Sequence, residues 1–440
     1  MIQNFKVIVV GGGPSGLITA HALHQANIDF VVLERRTAIL EDVGASLILD
    51  PTSLRVLSQL GLWDELERAG TELKRVQSFT KDGRLFKDSS ANILIHECHG
   101  SSFRAFHRAD LVKILYDGLA PSAKEKVLSG KGVVEIDQSE DSVNVVCSDG
   151  ATYIGSIVIG ADGVHSQTRR QMRKAVLKKN PTAKWDDEFP FIATYRCLWG
   201  NFPTPAATPP GYASETHHQD RSIMYVAGKK RGWIFVYEKL PAPTNRRAVY
   251  TIDDMEALAS GLADWPVSET LTLGDVFDKS RAGMSDLQEG LVDNLSNGRL
   301  VLVGDSGHKF TPNSGLGLNS GIQDVTAICN GINAAISESA DGHPDAATLE
   351  RVFKSYREAR HGPLEVALSR SMDTTRTHAW ASTWYYLLSQ YLITPFVEHV
   401  LYRYLVSRSL RAALVLDYVS GEEPFKGFLS WFNPIRPVKK

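Results

Sequence analysis

The residues best placed for chemistry near the start of the chain are a glycine loop at positions 11–16 (GGGPSG) and a later acid, Glu34. Gly11 permits a tight turn, the missing side chain of Gly13 lets a pyrophosphate approach the backbone, and Gly16 lets a helix pack closely on a strand. Phosphates held there face a helix N-terminus, which favours an anion. Glu34 is placed to accept hydrogen bonds from ribose hydroxyls and would repel a 2′-phosphate. The pattern therefore predicts bound FAD or NAD rather than resident NADP.

Short apolar segments must position this loop. Lys6–Val10 is a continuous β-branched run that predicts a buried parallel strand, residues 14–25 predict a small apolar helix, and residues 30–33 predict a second buried strand ending at Glu34. These segments form one strand–helix–strand unit of the length that a dinucleotide-binding motif requires. Arg35 and Arg36, which follow the acid, are expected at the solvated rim of the site.

Two further loops follow predicted buried strands. Residues 160–166 (GADGVHS), with Arg169 one turn later, form the first of these loops. The same residues are equally compatible with a simple Asp-Gly turn that closes a strand and binds no cofactor. Residues 303–319 (VGDSGHKFTPNSGLGLN) lead into a predicted long helix, where Asp305 can bind a polyol hydroxyl and Gly315 and Gly317 expose the helix N-terminus. A helix N-terminus aimed at the pyrimidine edge of a flavin stabilises the negative charge of its reduced form. This third loop predicts a flavin and has no role in a simple NAD dehydrogenase.

The composition argues against several other classes of protein. The 440 residues include 48 Lys and Arg against 50 Asp and Glu, and a net charge of −2 disfavours binding to nucleic acid through phosphate neutralisation. The four cysteines are scattered, without CxxC spacing or clustered histidines, so buried thiols are predicted and neither a metal site nor a disulfide framework is. The first apolar run is too short for a signal peptide.

The middle of the chain has a different pattern. Between residues 191 and about 250, aromatic and β-branched runs separated by Pro- and Gly-rich turns predict an antiparallel sheet, and the α/β pattern returns at residues 299–304. The sequence therefore predicts a discontinuous dinucleotide-binding domain (residues 1–75, 105–190 and 285–372). A β-rich substrate domain (76–104 and 191–284) is inserted into it, and a C-terminal helical tail (373–440) follows.

The three loops together resemble those of the flavin-dependent aromatic hydroxylases and epoxidases, single-component monooxygenases that use FAD and NAD(P)H. The resemblance covers about residues 5–370. It implies an α/β fold with an FAD-binding Rossmann-like domain of the aromatic hydroxylase type, an inserted antiparallel β-sheet substrate domain and a C-terminal helical segment. It also implies that Asp305 binds the ribitol chain, Asp162 lies near the pyrophosphate, Arg108 contacts FAD, and Gly44 and Ala45 skirt the flavin. The full predicted FAD-binding set is Gly11, Gly13, Ser15, Gly16, Glu34, Arg35, Gly44, Ala45, Arg108, Asp162, Asp305, Pro312, Gly315, Gly317 and Leu318.

A closer resemblance, to fungal monooxygenases of terpenoid, meroterpenoid and indole-alkaloid biosynthesis, is carried by residues 34–36 (ERR), 44–46 (GAS), 195–200 (YRCLWG) and 375–380 (TRTHAW). It implies that NADPH, a transient co-substrate, reduces FAD, and that a flavin hydroperoxide then transfers one oxygen atom to an apolar small-molecule metabolite by epoxidation or hydroxylation.

Catalytic residues are expected in the inserted sheet. An Arg and a Tyr there are implicated in the resembled family, which points to Arg196 and Tyr225. The alternative for Arg196 is an ordinary inter-strand charge on a solvent face.

The tail leaves three alternatives open. Residues 379–397 carry no charge and would just span a bilayer, but Ser, Thr, Gln and Pro residues make the segment poorly apolar. Residues 401–416 set three arginines among leucines, valines and tyrosines, a pattern typical of an amphipathic surface helix. A helical cap on the flavin domain, an interfacial membrane contact and a true span are all compatible with these features. The expected location is the cytoplasm. If the tail makes the interfacial contact, the protein is also expected to associate with the surface of an internal membrane.

The main alternative function is that of a related flavoenzyme of the same fold, a halogenase or a reductase. Halogenases of this fold carry a WxWxIP signature, and residues 232–236 (GWIFV), the most similar segment, lack it. A non-enzymatic flavin scaffold is disfavoured because all three cofactor loops are intact.

Overall fold

The structure, a computed structural model of the chain, describes residues 5–42 and 46–438. Its strands, labelled in chain order, are β1 (Lys6–Val10), β2 (Asp29–Leu33), β3 (Ser46–Leu49), β4 (Thr71–Glu72), β5 (Arg75–Thr80), β6 (Leu85–Ser89), β7 (Arg104–His107), β8 (Val127–Leu128), β9 (Val133–Gln138), β10 (Val143–Cys147), β11 (Thr152–Gly155), β12 (Ile157–Gly160), β13 (Ile192–Pro203), β14 (Tyr212–His218), β15 (Arg221–Ala227), β16 (Arg231–Thr244), β17 (Ala282–Leu291), β18 (Ser296–Asn297), β19 (Leu300–Leu302) and β20 (His308–Lys309). Its α-helices are α1 (Pro14–Gln25), α2 (Pro51–Gln59), α3 (Trp63–Ala69), α4 (Ala91–His99), α5 (Arg108–Asp117), α6 (Pro121–Lys124), α7 (Gln167–Lys179), α8 (Ile252–Ser260), α9 (Leu273–Val276), α10 (Leu316–Glu338), α11 (Ala346–His378), α12 (Thr383–Leu387), α13 (Pro395–Leu401) and α14 (Ser407–Arg411).

The nucleotide sheet has the strand order β18-β19-β12-β1-β2-β8 and is parallel except at β18. Its central strands are almost wholly buried, as expected for continuous apolar runs in a parallel sheet covered on both faces. Parallel alignment brings the carboxyl ends of β1, β2, β12 and β19 to one edge of the sheet. The loops that begin at Gly11, Glu34, Ala161 and Val303 therefore emerge side by side.

The substrate sheet has eight strands in the order β20-β17-β13-β16-β15-β14-β5-β6. Side chains alternate between its two faces, as in any strand. One face, which we call the flavin-side face, carries Met224 and Phe235 and packs with Ile48 of the nucleotide-binding domain. The other face, the outer face, carries Leu198 and Tyr225 and is covered by α8 and α9.

The observed fold is of the predicted class, but one predicted boundary falls inside a helix. Helix α11 runs from Ala346 to His378 and crosses the expected start of the tail at residue 373 without a break. It ends where Trp380 adopts a positive φ of 39°, a conformation that no helix can continue through. No glycine or proline stands between residues 373 and 378 to stop it earlier.

The tail does not form the single amphipathic helix expected over residues 401–416. Instead, α12, α13 and α14 are short and are joined by π-helical turns at residues 388–392 and 402–406, and irregular chain follows Arg411. Among the described helices, none combines the length and apolar character needed to cross a bilayer.

The irregular end of the tail returns to the nucleotide-binding domain. Arg55 of α2, whose side chain is fully buried, donates a 3.0 Å hydrogen bond to Glu423 and a 2.8 Å hydrogen bond to the carbonyl of Asn433. Its guanidinium also lies 4.0 Å from the ring centroid of Trp431. Backbones touch nearby, because a Cβ on Gly427 would lie 2.3 Å from the carbonyl oxygen of Cys98. The tail end therefore packs closely against both α2 and α4.

Candidate active site

The loops at the carboxyl edge of the nucleotide sheet enclose a cavity of about 420 Å³. Twelve of the fifteen predicted FAD-binding residues line it: Gly11, Gly13, Ser15, Glu34, Arg35, Arg108, Asp162, Asp305, Pro312, Gly315, Gly317 and Leu318. Gly16 lies behind the wall, and Gly44 and Ala45 lie outside the described residues. Positions separated by some 300 residues in sequence thus converge on one site.

The glycine loop has three differently constrained positions. Gly11 has a φ of +108°, and a Cβ there would lie 2.5 Å from the carbonyl oxygen of Ala161. A Cβ on Gly16 would lie 1.9 Å from the carbonyl oxygen of Gly11, so this residue must be glycine for α1 to pack on β1. Gly13 is the opposite case: a Cβ there would meet nothing within 4 Å. Its open side faces the cavity, where a pyrophosphate needs the room.

Glu34 is held in place by backbone donors. Its Oε2 accepts a 2.7 Å hydrogen bond from the Gly12 N–H, and its Oε1 accepts one of 2.9 Å from the Arg36 N–H. The residue is only 7% exposed. Carboxylate oxygens have further lone pairs, so this fixed carboxylate can still accept from a pair of ribose hydroxyls.

Asp162 fixes the second loop. Its carboxylate accepts hydrogen bonds from the hydroxyl of Ser166 (2.5 Å) and from the backbone N–H of Thr168 (2.9 Å), at the start of α7. Arg169 then ties this loop to the third one, donating to the carbonyl oxygens of Ser306 (2.6 Å) and Val164 (2.8 Å). Burial lowers the pKa of Arg169 to about 10. The GADGxxSxxR pattern is therefore a brace that sets one wall of the cavity.

The third loop presents charge and a helix terminus to the cavity. Asp305 forms an ion pair with Lys309, and both side chains are about one-third exposed. Gly315, with a φ of +65°, begins α10 without a side-chain cap and without an acid in the first turn. Asn319 fixes this terminus to β3 by donating to the carbonyls of Gly315 (2.6 Å) and Ile48 (2.9 Å). The free N–H groups of α10 are thus available to a negatively charged ligand.

A buried ion triad anchors the third loop and was not predicted from the sequence. Asp324 of α10 accepts hydrogen bonds from His308 Nε2 (2.7 Å), from Arg360 Nε of α11 (2.7 Å) and from the Gly304 N–H (3.0 Å). Burial alone would raise the pKa of Asp324, but the charges and hydrogen bonds of His308 and Arg360 hold it at about 2. His308 is therefore bound to a structural carboxylate. The one signal in the sequence was an acid within the apolar helix pattern around residues 322–328.

The opposite wall of the cavity is apolar. Met224 and Phe235 reach it from the flavin-side face of the substrate sheet, and Ile48, Phe310 and Leu318 extend it. A polar wall of loops thus faces a wall that can exclude water.

Arg196 and Tyr225 do not reach this cavity. On β13 the flavin-side positions are Cys197 and Trp199, so the alternation of the strand puts Arg196 on the outer face. There Arg196 donates a 2.8 Å hydrogen bond to Glu238, and its side chain is 31% exposed. Tyr225 is buried in the outer-face cluster, stacked on Phe202 at 5.5 Å. The geometry favours the structural alternative, an inter-strand ion pair, for Arg196.

Replacing Arg196 with Met tests this placement. We expect FAD content and turnover close to those of the wild type, and a loss of stability of about 0–1 kcal/mol, the usual value of a partly exposed pair. Glu238 also keeps its bond to Arg221 in the variant, at 2.8 Å. The measurement is the FAD-to-protein ratio together with the rate of substrate-dependent oxygen consumption. Retained FAD with strongly reduced product would restore the catalytic role that the sequence suggested.

The cavity fits FAD on several independent grounds. Gly13 has room for a pyrophosphate at the N-terminus of α1, which has no side-chain cap and no acid in its first turn. Glu34 would offer a fixed carboxylate to the ribose of a bound FAD and Asp305 one to its ribitol. The N-terminus of α10 would offer the positive end of a dipole to the isoalloxazine. Burial lowers the pKa of Arg108, which also lines the cavity.

Comparison with known proteins agrees with this site. A family model described as an FAD binding domain matches residues 4–361. FAD-dependent monooxygenase SAT1 of Stachybotrys chartarum is 49% identical over 251 residues, 54% of this chain and 85% of that protein. FAD-dependent monooxygenase nvfK of Aspergillus novofumigatus is 33% identical over 398 residues, 88% of this chain and 83% of that protein.

Solved structures share the fold. Klebsiella pneumoniae HpxO complexed with FAD and uric acid has a TM-score of 0.72 at 22% identity, covering 92% of this chain and 97% of that one. The p-nitrophenol 4-monooxygenase PnpA from Pseudomonas putida has a TM-score of 0.72 at 19% identity, covering 92% and 98%. The chain belongs to the family defined by this FAD binding domain. It is an FAD-dependent monooxygenase.

Proposed function

We propose that this monooxygenase consumes NADPH and adds one oxygen atom to an apolar specialised metabolite, a terpenoid, prenylated or indole-type compound, by epoxidation or hydroxylation. The observation that carries the substrate class is the apolar wall of the cavity, formed by Met224, Phe235 and Phe310 opposite the cofactor loops. An apolar molecule gains free energy by burying its surface against such a wall.

The chain's own residues bind, orient and exclude water. Glu34, the Gly13 backbone and Asp305 would hold the ribose, the pyrophosphate and the ribitol of FAD. When bound, FAD would supply the redox chemistry, namely hydride uptake from a nicotinamide and activation of oxygen. The N-terminus of α10 would stabilise negative charge on the ring, and the apolar wall would keep water away from the reacting atoms.

Transient use of NADPH is supported by the charge at the mouth of the cavity. Arg35, Arg36 and Lys131 line it, with Arg36 paired with Glu41 and Lys131 with Asp149, and their positive charge attracts phosphate groups. Within the described residues there is one glycine-loop nucleotide site of this kind, which suits a co-substrate that binds and leaves.

The decisive experiment measures oxygen transfer directly. The purified holoenzyme is supplied with NADPH or NADH, labelled dioxygen and a panel of prenylated, terpenoid and indole compounds, and products are analysed by mass spectrometry. We expect faster flavin reduction by NADPH and one labelled oxygen atom in an apolar product. A halogenated product in the presence of halide, or a product that has gained two hydrogen atoms, would instead favour the alternative flavoenzyme functions.

We also propose that the tail contacts an anionic membrane surface. Large apolar side chains along residues 384–405 are exposed to solvent, with Phe396 76% exposed: Trp384, Leu387, Tyr391, Leu392, Phe396, Val397, Val400, Tyr404 and Leu405. A concentration of this kind marks a surface that binds something apolar. Arg403 and Arg408 are exposed beside it, while Glu398, the one acid between residues 379 and 416, pairs with Lys87. Aromatic and leucine side chains next to arginines match a negatively charged bilayer interface.

Vesicle binding tests this proposal. The double variant Phe396→Ser with Leu405→Ser is expected to lose about tenfold or more in affinity for vesicles of mixed neutral and anionic phospholipid, because each side chain forfeits about 1.5–3 kcal/mol of burial at most. Val249→Ser, which removes an 87% exposed side chain from the substrate domain, is the matched control and should bind normally. Equal sedimentation of both variants, or no binding by the wild type, would contradict the proposal.

A further inference from the structure

Outside the cavity, two histidines and a glutamate from distant parts of the chain meet inside the protein. Glu215 and His217 occupy alternate positions of β14 and so share its flavin-side face, and His378 is the last residue of α11. The Nε2 atoms of His217 and His378 lie 3.3 Å and 3.4 Å from the same Glu215 oxygen, Oε2. We call these three residues the EHH cluster. The FAD site does not use any of them.

The cluster has the composition and spacing of a metal site. Two imidazoles and one carboxylate are a common ligand set for Zn²⁺, with bonds of about 2.0–2.2 Å, so that tetrahedral ligands lie about 3.2–3.6 Å apart. The two separations from Glu215 Oε2 already match this value, and one ligand atom from each residue lies within 4.8 Å of the others. Among the described residues this is the one group of three His, Cys, Asp or Glu side chains that meets that criterion.

The surroundings favour a cation. The nearest cation, Lys87, is paired with Glu398 at 3.4 Å. Two carboxylates therefore face one lysine, and the local charge is negative.

Outer contacts of the kind that orient metal ligands are also present. His217 Nδ1 is 3.1 Å from the hydroxyl of Ser389, which accepts from Trp380 Nε1 at 3.3 Å. A ligating histidine usually bonds a second group through its other ring nitrogen. On the neighbouring strands, Ser222 pairs with His217 and Tyr237 pairs with Ser222, and both hydroxyls are buried without a partner among the described residues. A water molecule at the fourth position of an ion would supply one.

We propose that Glu215, His217 and His378 bind one Zn²⁺ ion that fastens the start of the tail to the substrate sheet. Strand β14 supplies two ligands, and α11 supplies the third immediately before the chain turns at Trp380 into the tail. The Asp220 N–H donates a 2.6 Å hydrogen bond to the Ala379 carbonyl at the same junction, so the ion would reinforce a contact that already exists. Zn²⁺ has no redox chemistry, which suits a protein that handles oxygen and a reduced flavin.

Metal content and spectroscopy test the site independently of turnover. The full-length holoenzyme is purified without a histidine tag, its zinc and FAD are quantified, and the protein stripped by chelator is titrated with Co²⁺. We expect one zinc per chain, visible Co²⁺ absorption typical of a tetrahedral site, and a Tm that falls on stripping and returns with Zn²⁺ but not with Mg²⁺.

Variants make the assignment specific. Glu215→Gln and His378→Gln should lose zinc, the Co²⁺ spectrum and the Tm response while keeping FAD, whereas His361→Gln, a partly exposed histidine of α11, should behave like the wild type. The proposal is overturned if the wild-type protein holds no more zinc than Glu215→Gln and shows no Co²⁺ spectrum. The Co²⁺ spectrum is measured on the wild-type protein, so it remains decisive even if a variant fails to fold. FAD content and product formation report separately on the monooxygenase activity.

Discussion

Replacing Asp324 with Ala is expected to lower the free energy of unfolding by about 3–5 kcal/mol, the cost of leaving a buried charge without its partner. Asp324 is fully buried and is the common acceptor for Arg360, His308 and the Gly304 N–H. Removing it leaves the Arg360 guanidinium inside the protein with no carboxylate. The third loop loses its attachment to α10 and α11 at the same time, so FAD affinity should fall as well.

The measurement is urea denaturation of the FAD-free protein, so that loss of cofactor does not enter the comparison. Asp88→Ala is the control, because it removes an acid whose partner, Arg75, is largely exposed. That change should cost about 0–1 kcal/mol. A loss for Asp324→Ala no larger than for this control would show that the buried triad does not hold the loop.

Replacing Gly13 with Val is expected to weaken FAD binding by at least about 100-fold, or about 2.7 kcal/mol, while the protein without cofactor keeps its stability. A Cβ at Gly13 meets no protein atom within 4 Å, and its φ of −76° and ψ of −177° suit any residue. The new side chain would instead occupy the space in front of the α1 N-terminus, where the pyrophosphate must approach the backbone.

Two other glycines separate ligand exclusion from misfolding. Gly16→Ala places a Cβ 1.9 Å from the Gly11 carbonyl oxygen, so it should reduce both stability and FAD content. Gly362→Ala lies in α11 with no atom within 4 Å of its Cβ and should alter neither adversely. The measurements are FAD titration and thermal unfolding of the stripped proteins. Wild-type FAD affinity in Gly13→Val would mean that the phosphates bind elsewhere.

The FAD site could be predicted from the sequence because each of its parts is local. A glycine that must be glycine, an acid at a strand end and a bare helix N-terminus leave their mark within a few residues, and β1, β2, β12 and β19 assemble such loops at one edge by parallel pairing. Gly11 and Glu34 were predicted in this way, whereas Asp162 and Asp305 were assigned by resemblance, and all four line the cavity. The geometry adds that Asp162 acts largely as a brace for its own loop.

The catalytic assignments could not be predicted in the same way, because they depend on which face of the sheet a side chain occupies. A strand alternates with a period of two, so a stretch such as residues 195–199 specifies two faces without saying which one meets the flavin. Arg196 and Tyr225 were assigned by resemblance, and the register places both on the outer face. A β-bulge between Ala193 and Tyr195 also shifts the register of β13, and the alternation of residues in the sequence does not reveal such a shift.

Contacts between distant segments were equally out of reach. Nothing near Arg55 in the sequence indicates that Glu423 will neutralise it, and nothing near Glu215 indicates that His378 will lie beside it. The sequence therefore predicted no clustered histidines, because the EHH cluster exists only after α11 has packed on the substrate sheet. Tertiary packing, rather than local propensity, decides such partners.

The order of strands in the nucleotide sheet has a consequence for how the chain is made. Strand β12 lies between β1 and β19, so the sheet lacks a neighbour on that side until residues 300–302 have left the ribosome. Arg55 lacks its ion-pair partner for longer still, since Glu423 lies 368 residues further along the chain. Until then the nascent protein carries an open sheet edge and a cation without its acceptor, both hazards during translation. We therefore expect this chain to depend on chaperones until residues 300–302 and Glu423 have been synthesised.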